Sequence, residues 1–239
     1  MSRPGANVAR SFLTAEWRNL ILVNFAVPEG LLRPHLPPGC TFDRRAGECT
    51  ASLVAFQFLN TRVLGISWPG FRNFPEWNLR FYVRRGEERG VCFVREFVPQ
   101  WTVATVARLL YNEPYRSARM TMDVRTDPGG ATAEYRVRWG GRDHVLRATG
   151  GLPPVRPAPD STEHWYKEHE HGFGTGCRGA LVRYRVRHPE WDVYPVRDLH
   201  LDIDWGTLYG PEWAVMNGVA PEGAVFAVGS AVSVSPRDP

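Results

Sequence analysis

The sequence predicts an α+β protein dominated by a mainly antiparallel sheet, and three observations support this prediction. Several runs alternate apolar and polar side chains, as in FPEWNLRFYV from Phe74 to Val83, and a period of two residues is typical of strands. Pairs of such runs are separated by short turn segments, which indicates antiparallel hairpins. One stretch, residues 99–114, instead spaces its apolar residues like a helix.

The first third of the chain predicts strands around one short helix. The run AEWRNLILVNFAVP moves from polar into apolar, β-branched residues, which we interpret as a helical turn or strand leading into a strand. The Pro- and Gly-rich segment PEGLLRPHLPPGCTFD predicts a short helix closed by a turn. CTASLVAFQFLNTRV has the β-branched and aromatic content of a strand.

The middle of the chain predicts two hairpins separated by the helix. FPEWNLRFYVRR and GVCFVREFVP flank the turn GEER, and ARMTMDVRT and ATAEYRVRWGG flank DPGG. We predict that the helix begins at Pro99 and ends before Pro114, because proline lacks the backbone N–H group that a continuing helix needs. HVLRATGG adds a further strand.

The last third predicts three more strands, in GALVRYRVRH, LHLDIDWGTLYG and GAVFAVGSAVSVSP. The Pro-rich run LPPVRPAPDST before them is a connector, because the segment after it is too short to hold a large core alone. We therefore predict a single domain over residues 1–239.

Composition argues against several classes of protein. The net charge is +4, but the arginines are scattered among acidic residues, so we expect no nucleic-acid partner. No apolar run approaches the roughly 20 residues that span a bilayer, and the first residues lack the apolar stretch of a secretory signal. We expect a cytoplasmic protein without a membrane partner. No phosphate loop, G-x-G-x-x-G or G-x-S-x-G motif is present, so we predict no cofactor.

The candidate binding residues lie on one face of the strand in FPEWNLRFYV. The polar residues that alternate with apolar ones are Glu76, Asn78, Arg80 and Tyr82. This polar face either lines a pocket or is exposed to solvent. Glu76 and Arg80 are either a substrate clamp with an acid or base, or a structural ion pair.

A second group of candidates lies on the predicted helix and the turn after it. Trp101, Arg108 and Asn112 share one helix face, and Tyr115 comes next in the turn. Arg108 and Tyr115 either act over the mouth of a pocket, or Asn112 closes the helix while Tyr115 packs in the core.

Two further patterns have an ordinary structural interpretation. His164, His169 and His171 alternate with glutamates, but no third and fourth ligand at a known spacing is visible, so we predict a polar turn and no metal. Asp202 and Asp204 fall on one face of a predicted strand. Paired carboxylates can act as acid and base, but this spacing is common on solvent-exposed strands, so we interpret the pair as structural.

Four motifs in the chain are FPEWNLRFYV, AR-x-x-YNEPY, EHEHGFG, and HPEW followed by YPV. Together they resemble the YqjF-like family of uncharacterised bacterial proteins in the acetoacetate decarboxylase-like superfamily. The resemblance implies a sheet bent into a cone or partly closed barrel around an internal pocket, with a few packed helices. It also implies that Glu76 matches an acidic residue that points into that pocket, which favours the inward orientation of the polar face.

The decarboxylase's Schiff-base motif, Pro-Lys-Lys, falls on Pro114, Tyr115 and Arg116, so the reactive amine is replaced. Lys167 is the only lysine in the chain, and we predict that it is a solvated surface residue. The resemblance thus implies a small-molecule enzyme or binding protein that acts on a carbonyl-containing or acidic ligand without a Schiff base. In this interpretation Glu76, Tyr115 and Arg108 are catalytic. The residues that would bind the substrate are Asn78, Arg80, Tyr82, Trp101, Asn112 and Arg116.

The alternative is a non-catalytic ligand-binding or structural protein that kept the fold and lost the chemistry. Homo-oligomer formation is compatible with either function.

Overall fold

The computed structural model of the protein describes residues 11–105 and 113–237. Within these residues the helices are α1 (Glu29–Leu32), α2 (101–105), α3 (Thr162–Lys167) and α4 (Trp205–Tyr209), with 3-10 turns at Arg33–His35, Cys177–Gly179 and Pro211–Met216. The strands are β1 (Leu13–Ala26), β2 (Thr41–Phe42), β3 (Thr50–Val63), β4 (Phe74–Arg85), β5 (Glu88–Val98), β6 (Tyr115–Ser117), β7 (Arg119–Asp127), β8 (Gly130–Trp139), β9 (Arg142–Gly150), β10 (His171–Thr175), β11 (Leu181–Arg187), β12 (Val193–Tyr194), β13 (Val196–Asp202) and β14 (Gly223–Val234).

The larger sheet closes on itself into a ring. Its order is β2-β4-β3-β1-β14-β11-β10-β5-β6, and β4 also pairs with β5, which joins the two ends. Most neighbours are antiparallel, as the hairpin signals predict, while β5 pairs in parallel with β10 and β6. The prediction of an α+β protein dominated by a curved, mainly antiparallel sheet is confirmed.

A second sheet, with strand order β13-β9-β8-β7, covers the outside of the ring. The apolar residues of β4, Trp77, Leu79 and Phe81, are completely buried in one core cluster with Tyr135 and Leu146 of this second sheet. The alternation in FPEWNLRFYV therefore separates an outer apolar face from an inner polar face, as predicted.

The inner side of the ring has its own apolar cluster beside the polar residues of β4. It includes Val54 and Phe56 of β3, Val98 of β5 and Trp191 near β12. The polar residues Glu76 and Asn78 are each only 3% exposed. The sheet therefore encloses polar groups together with apolar ones.

Two predicted elements need comment. The predicted strand in LHLDIDWGTLYG is only half correct, because β13 ends at Asp202 and α4 begins at Trp205. The Asp204 side chain accepts a hydrogen bond from Thr207 N at 2.9 Å and caps this helix, so Asp202 and Asp204 do not share a strand face. Of the predicted helix over residues 99–114, only 101–105 are described as helical.

No helix in the described ranges has the length and apolar character needed to cross a membrane.

Closure of the ring between β5 and β10 requires a glycine at position 90. A Cβ atom on Gly90 would lie 2.5 Å from the His171 carbonyl oxygen and 2.6 Å from the Phe173 ring. We expect Gly90→Ala to lower the free energy of unfolding by about 1–3 kcal/mol, because the backbone of β10 must move away. Urea denaturation measures this change. Gly223→Ala, where a Cβ meets nothing within 4 Å, is the control, and equal stability of the two variants would contradict the expectation.

Candidate active site

Three glutamates lie buried close together at the inner side of β4 and β5. Glu76 is on β4, Glu96 is on β5 directly opposite Asn78, and Glu113 lies just before β6. Their exposed fractions are 3%, 2% and 7%. Burial of a carboxyl group normally requires a partner, so the hydrogen bonds of this cluster define its chemistry.

Glu76 is held by two hydrogen bonds, one from an amide and one from a phenol. Asn78 Nδ2 donates to Glu76 Oε1 at 2.9 Å, and the Tyr115 hydroxyl donates to Glu76 Oε2, also at 2.9 Å. Arg80 instead donates from Nη2 to the Tyr166 carbonyl oxygen at 2.9 Å. Since the hydrogen bonds of Glu76 come from uncharged donors and Arg80 turns away, the interpretation of Glu76 and Arg80 as a structural ion pair is wrong.

The three carboxyl groups hold their protons more tightly than usual. Burial raises the pKa of Glu76 to about 7, although the hydrogen bonds from Asn78 and Tyr115 and the charge of Arg80 act in the opposite direction. Burial raises the pKa of Glu113 to about 8, opposed by a hydrogen bond from Tyr184. The pKa of Glu96 is raised well above its ordinary value by burial and by the charges of Glu113 and Glu76.

The two phenols of this cluster remain protonated hydrogen-bond donors. Burial raises the pKa of Tyr115 and of Tyr184 well above the ordinary value, and the neighbouring carboxylates raise both further. At neutral pH the cluster therefore combines neutral phenols with carboxyl groups that can gain or lose a proton.

Several oxygens of the cluster have no hydrogen-bond partner within the described ranges. They are Asn78 Oδ1, Glu96 Oε1 and Glu113 Oε1, and each is shielded from water. Buried polar atoms are normally paired with protein, water or a ligand. These three atoms therefore mark a place in the ring interior where a ligand would gain hydrogen bonds.

The other predicted substrate-binding residues are placed differently. Tyr82 is 1% exposed and hydrogen-bonds Ser52 and the Tyr166 carbonyl oxygen, so it lies farther along β4 than Glu76. Trp101 is 70% exposed. Arg116 is exposed, and its guanidinium donates to the Tyr115 carbonyl oxygen at 3.3 Å. Arg108 and Asn112 lie outside the described residues.

The histidine segment does not form a compact metal-ligand group. His169 is buried, whereas His171 begins β10 and is half-buried. Across residues 11–105 and 113–237, no three side chains of metal-ligand type are grouped to hold an ion.

The prediction of a solvated Lys167 is wrong. This lysine is 1% exposed and donates a hydrogen bond to Glu168 Oε1 as an ion pair. It is the last residue of α3, and the preceding Tyr166 is also buried, against Tyr82. Packing of α3 on the protein therefore buries Lys167, and the adjacent Glu168 carboxylate pairs with it.

Three residues of the cluster, Glu96, Glu113 and Tyr184, are not among the site residues predicted from the sequence. In the hairpin of β4 and β5, Arg80 pairs with Phe93 but Leu79 pairs with Arg95, so the register shifts by one residue. Without this bulge the inner residue opposite Asn78 would be Arg95 instead of Glu96. Glu113 was visible in the motif YNEPY, but only the folded chain places it beside the other two carboxyl groups.

Comparisons with known proteins agree with this fold. The chain belongs to the DUF2071 family, described as "Uncharacterized conserved protein", whose model matches residues 14–231. It is 24% identical over 179 residues to the uncharacterized protein YqjF of Bacillus subtilis (strain 168), covering 73% of this chain and 72% of that protein.

Solved structures with a similar fold are acetoacetate decarboxylase-like. Acetoacetate decarboxylase from Legionella pneumophila is similar with a TM-score of 0.63 at 14% identity, covering 99% of this chain and 91% of that chain. The enduracididine biosynthesis enzyme MppR, complexed with pyruvate, has a TM-score of 0.66 at 14% identity and covers 98% and 92%. An acetoacetate decarboxylase-like enzyme from Sphingomonas wittichii RW1 has a TM-score of 0.63 at 14% identity, with 99% and 95% coverage. At these identities the similarity shows the fold.

The buried carboxyl groups predict that stability falls as the solution becomes alkaline. Because the pKa of Glu113 in the folded protein, about 8, lies above its ordinary value of 4.5, the folded state keeps a proton that the unfolded state has released. The stabilisation is complete at acidic pH and is lost as pH rises through 8. From pH 6.5 to 8.5 we expect the wild type to lose up to about 2 kcal/mol more than Glu113→Gln.

Urea denaturation at pH 6.5, 7.5 and 8.5 measures this difference. The buried histidines His144 and His169 do not affect the comparison, because burial lowers the pKa of both rings and both proteins contain them. Glu134→Gln on the second sheet is the control. Parallel pH profiles for the wild type and Glu113→Gln would contradict the proposed state of the cluster.

Proposed function

We propose that this protein is a small-molecule enzyme related to acetoacetate decarboxylase that moves a proton on a carbonyl-containing or acidic ligand, using Glu76 and no Schiff base. The observation that carries the proposal is the environment of Glu76: completely enclosed, hydrogen-bonded by Tyr115, and with its pKa raised to about 7. A carboxyl group with a pKa near the working pH is well suited to give and to take a proton. The similarity in fold to acetoacetate decarboxylase supports this class of reaction.

Each residue has a role that its contacts suggest. Glu76 removes a proton from the carbon beside the ligand's carbonyl, which leaves an enolate and a protonated Glu76, and later returns it. Tyr115, whose raised pKa keeps its hydrogen in place, donates a hydrogen bond where negative charge develops. Arg80 holds an anionic or carbonyl oxygen. Arg108 and Asn112 remain predicted contributors from the sequence.

The contacts of Lys167 support a mechanism without a Schiff base. Its Nζ atom is paired with the Glu168 carboxyl group, whereas a Schiff base needs an amine that is available to attack the ligand's carbonyl. The same observation keeps the second candidate function open, namely a binding protein that retained the fold without the chemistry.

Glu76→Gln tests the proton-transfer role. The similar enzyme MppR was solved with pyruvate, so pyruvate and acetoacetate in D2O are suitable probes, with exchange at the carbon beside the carbonyl followed by proton NMR. We expect the wild type to accelerate exchange and Glu76→Gln to reduce the rate by roughly 10²–10⁴-fold, because an amide cannot exchange the proton. Glu134→Gln is the matched control.

The outcome of this experiment separates the candidate functions. Thermal unfolding of Glu76→Gln should stay close to that of the wild type, since the glutamate forms no ion pair with Arg80 whose loss would cost about 3–5 kcal/mol. A destabilised variant with unchanged exchange refutes the catalytic role. A wild type that exchanges neither probe above the buffer rate favours the non-catalytic binding protein.

Borohydride trapping tests the absence of a Schiff base. We expect pyruvate and sodium borohydride to leave the peptide that contains Lys167 unmodified in peptide mass spectrometry. Because this is the only lysine in the chain, the main chain's terminal amine is the other amine to monitor, and its peptide serves as the internal control. A reduced pyruvate adduct on Lys167 would contradict the mechanism.

A further inference from the structure

A group of cationic and aromatic side chains meets beneath α3, farther along β4 than the carboxyl cluster. The rings of His169 and Tyr82 are 4.9 Å apart, and the Arg80 guanidinium lies 5.9 Å from the Tyr82 ring. Arg89 of β5 lies 4.8 Å over Trp165, whose ring is 5.8 Å from His169. Strands β4 and β5, helix α3 and the segment before β10 thus contribute to one enclosed group.

This group has more hydrogen-bond donors than acceptors. Arg80 Nε and Arg89 Nη2 are buried donors without a hydrogen-bond partner in the described parts of the chain. Both ring nitrogens of His169 are also unpartnered there, and one of them is a donor in the neutral ring. The nearby acceptor, the Tyr166 carbonyl oxygen, already accepts from Arg80 Nη2 at 2.9 Å and from the Tyr82 hydroxyl at 3.3 Å. That oxygen also lies near the His169 ring and favours its charged form, but no hydrogen bond of normal geometry joins them.

Unpaired buried donors are unfavourable, because each has lost its hydrogen bonds to water and gained none in the protein. Several such donors within one group of contacting side chains indicate that an acceptor belongs beside them.

The balance of charge indicates what kind of acceptor fits. Arg89 donates to Asp43 at 2.6 Å, and Asp43 also pairs with Arg84. Arg80 instead donates to an uncharged carbonyl. Burial and the two arginines lower the pKa of His169 well below its ordinary value, so the ring is neutral at pH 7. The Arg84 side chain is 40% exposed, so water compensates its charge. Arg80 is then the one guanidinium of this group without a carboxylate partner among the described residues, which fits a monoanion better than a doubly charged phosphate.

We propose that Arg80, Arg89 and His169 bind the carboxylate group of a small organic acid, with Tyr82 and Trp165 beside its carbon atoms. Guanidinium groups bind carboxylates through paired N–H donors, and aromatic walls favour an organic ligand over an inorganic ion. The inference rests on the proposed function for the role of Arg80. It adds the other two residues and names the group that they recognise.

Calorimetric titration with sodium acetate, sodium pyruvate and sodium phosphate at pH 7 and matched ionic strength tests this proposal. We expect acetate and pyruvate to bind saturably, and phosphate to bind at least tenfold more weakly. Arg80→Gln should weaken acetate binding at least tenfold, while Arg125→Gln, an exposed arginine on the second sheet, should leave it unchanged. Phosphate binding as tight as acetate, or equal acetate binding by Arg80→Gln and the wild type, would overturn the proposal.

A second measurement on the wild type keeps the test valid if Arg80→Gln fails to fold. In two-dimensional NMR of arginine Nε–H groups, acetate should shift the Arg80 and Arg89 signals and leave Arg125 in place. Absence of such shifts at saturating acetate would overturn the proposal. Acetate binding by Glu76→Gln separates this inference from the proposed function, because it should persist even if that variant shows that Glu76 has no catalytic role.

Discussion

A carboxyl group that is enclosed away from water and not paired with a cation either bears a desolvation cost as an anion or keeps its proton, and this constraint governs the interior of the ring. Glu76, Glu96 and Glu113 are all under this constraint. Their hydrogen bonds come from neutral groups, namely the Asn78 amide and the phenols of Tyr115 and Tyr184. As a result these carboxyl groups have raised pKa values and form no ion pairs with the groups that donate hydrogen bonds to them. This property makes an acid–base role chemically reasonable.

The polar face of β4 connects two chemically different regions. Among the residues that the structure describes, the carboxyl cluster at one end leaves oxygens unpaired, and toward the other end Arg80 and its neighbours leave nitrogens unpaired. Such groups lower stability. The apolar outer face of the same strand offsets part of that loss, because Trp77, Leu79 and Phe81 are fully buried against the second sheet. One strand thus combines favourable apolar packing with unfavourable polar burial, a combination typical of functional sites.

The sequence alone predicts the structure correctly where the pattern is local. Alternation in FPEWNLRFYV correctly separates the two faces of β4, and the turn signals correctly predict the hairpins. The sequence alone does not predict the orientation or burial of a side chain where tertiary packing determines them. The bulge beside Leu79 brings Glu96 to the inner face, and docking of α3 buries Lys167, although lysine is usually exposed. The capping role of Asp204 likewise converts the expected continuation of a strand into a helix.

Glu76 is partly protonated at neutral pH in this structure, and a titration of its side-chain carboxyl carbon by 13C NMR measures that property most directly. Comparison with Glu76→Gln identifies the signal. We expect a midpoint at a pH of about 7. A midpoint near the ordinary value of 4.5 would show that Glu76 is a permanent anion at neutral pH and would refute its proposed role in proton transfer.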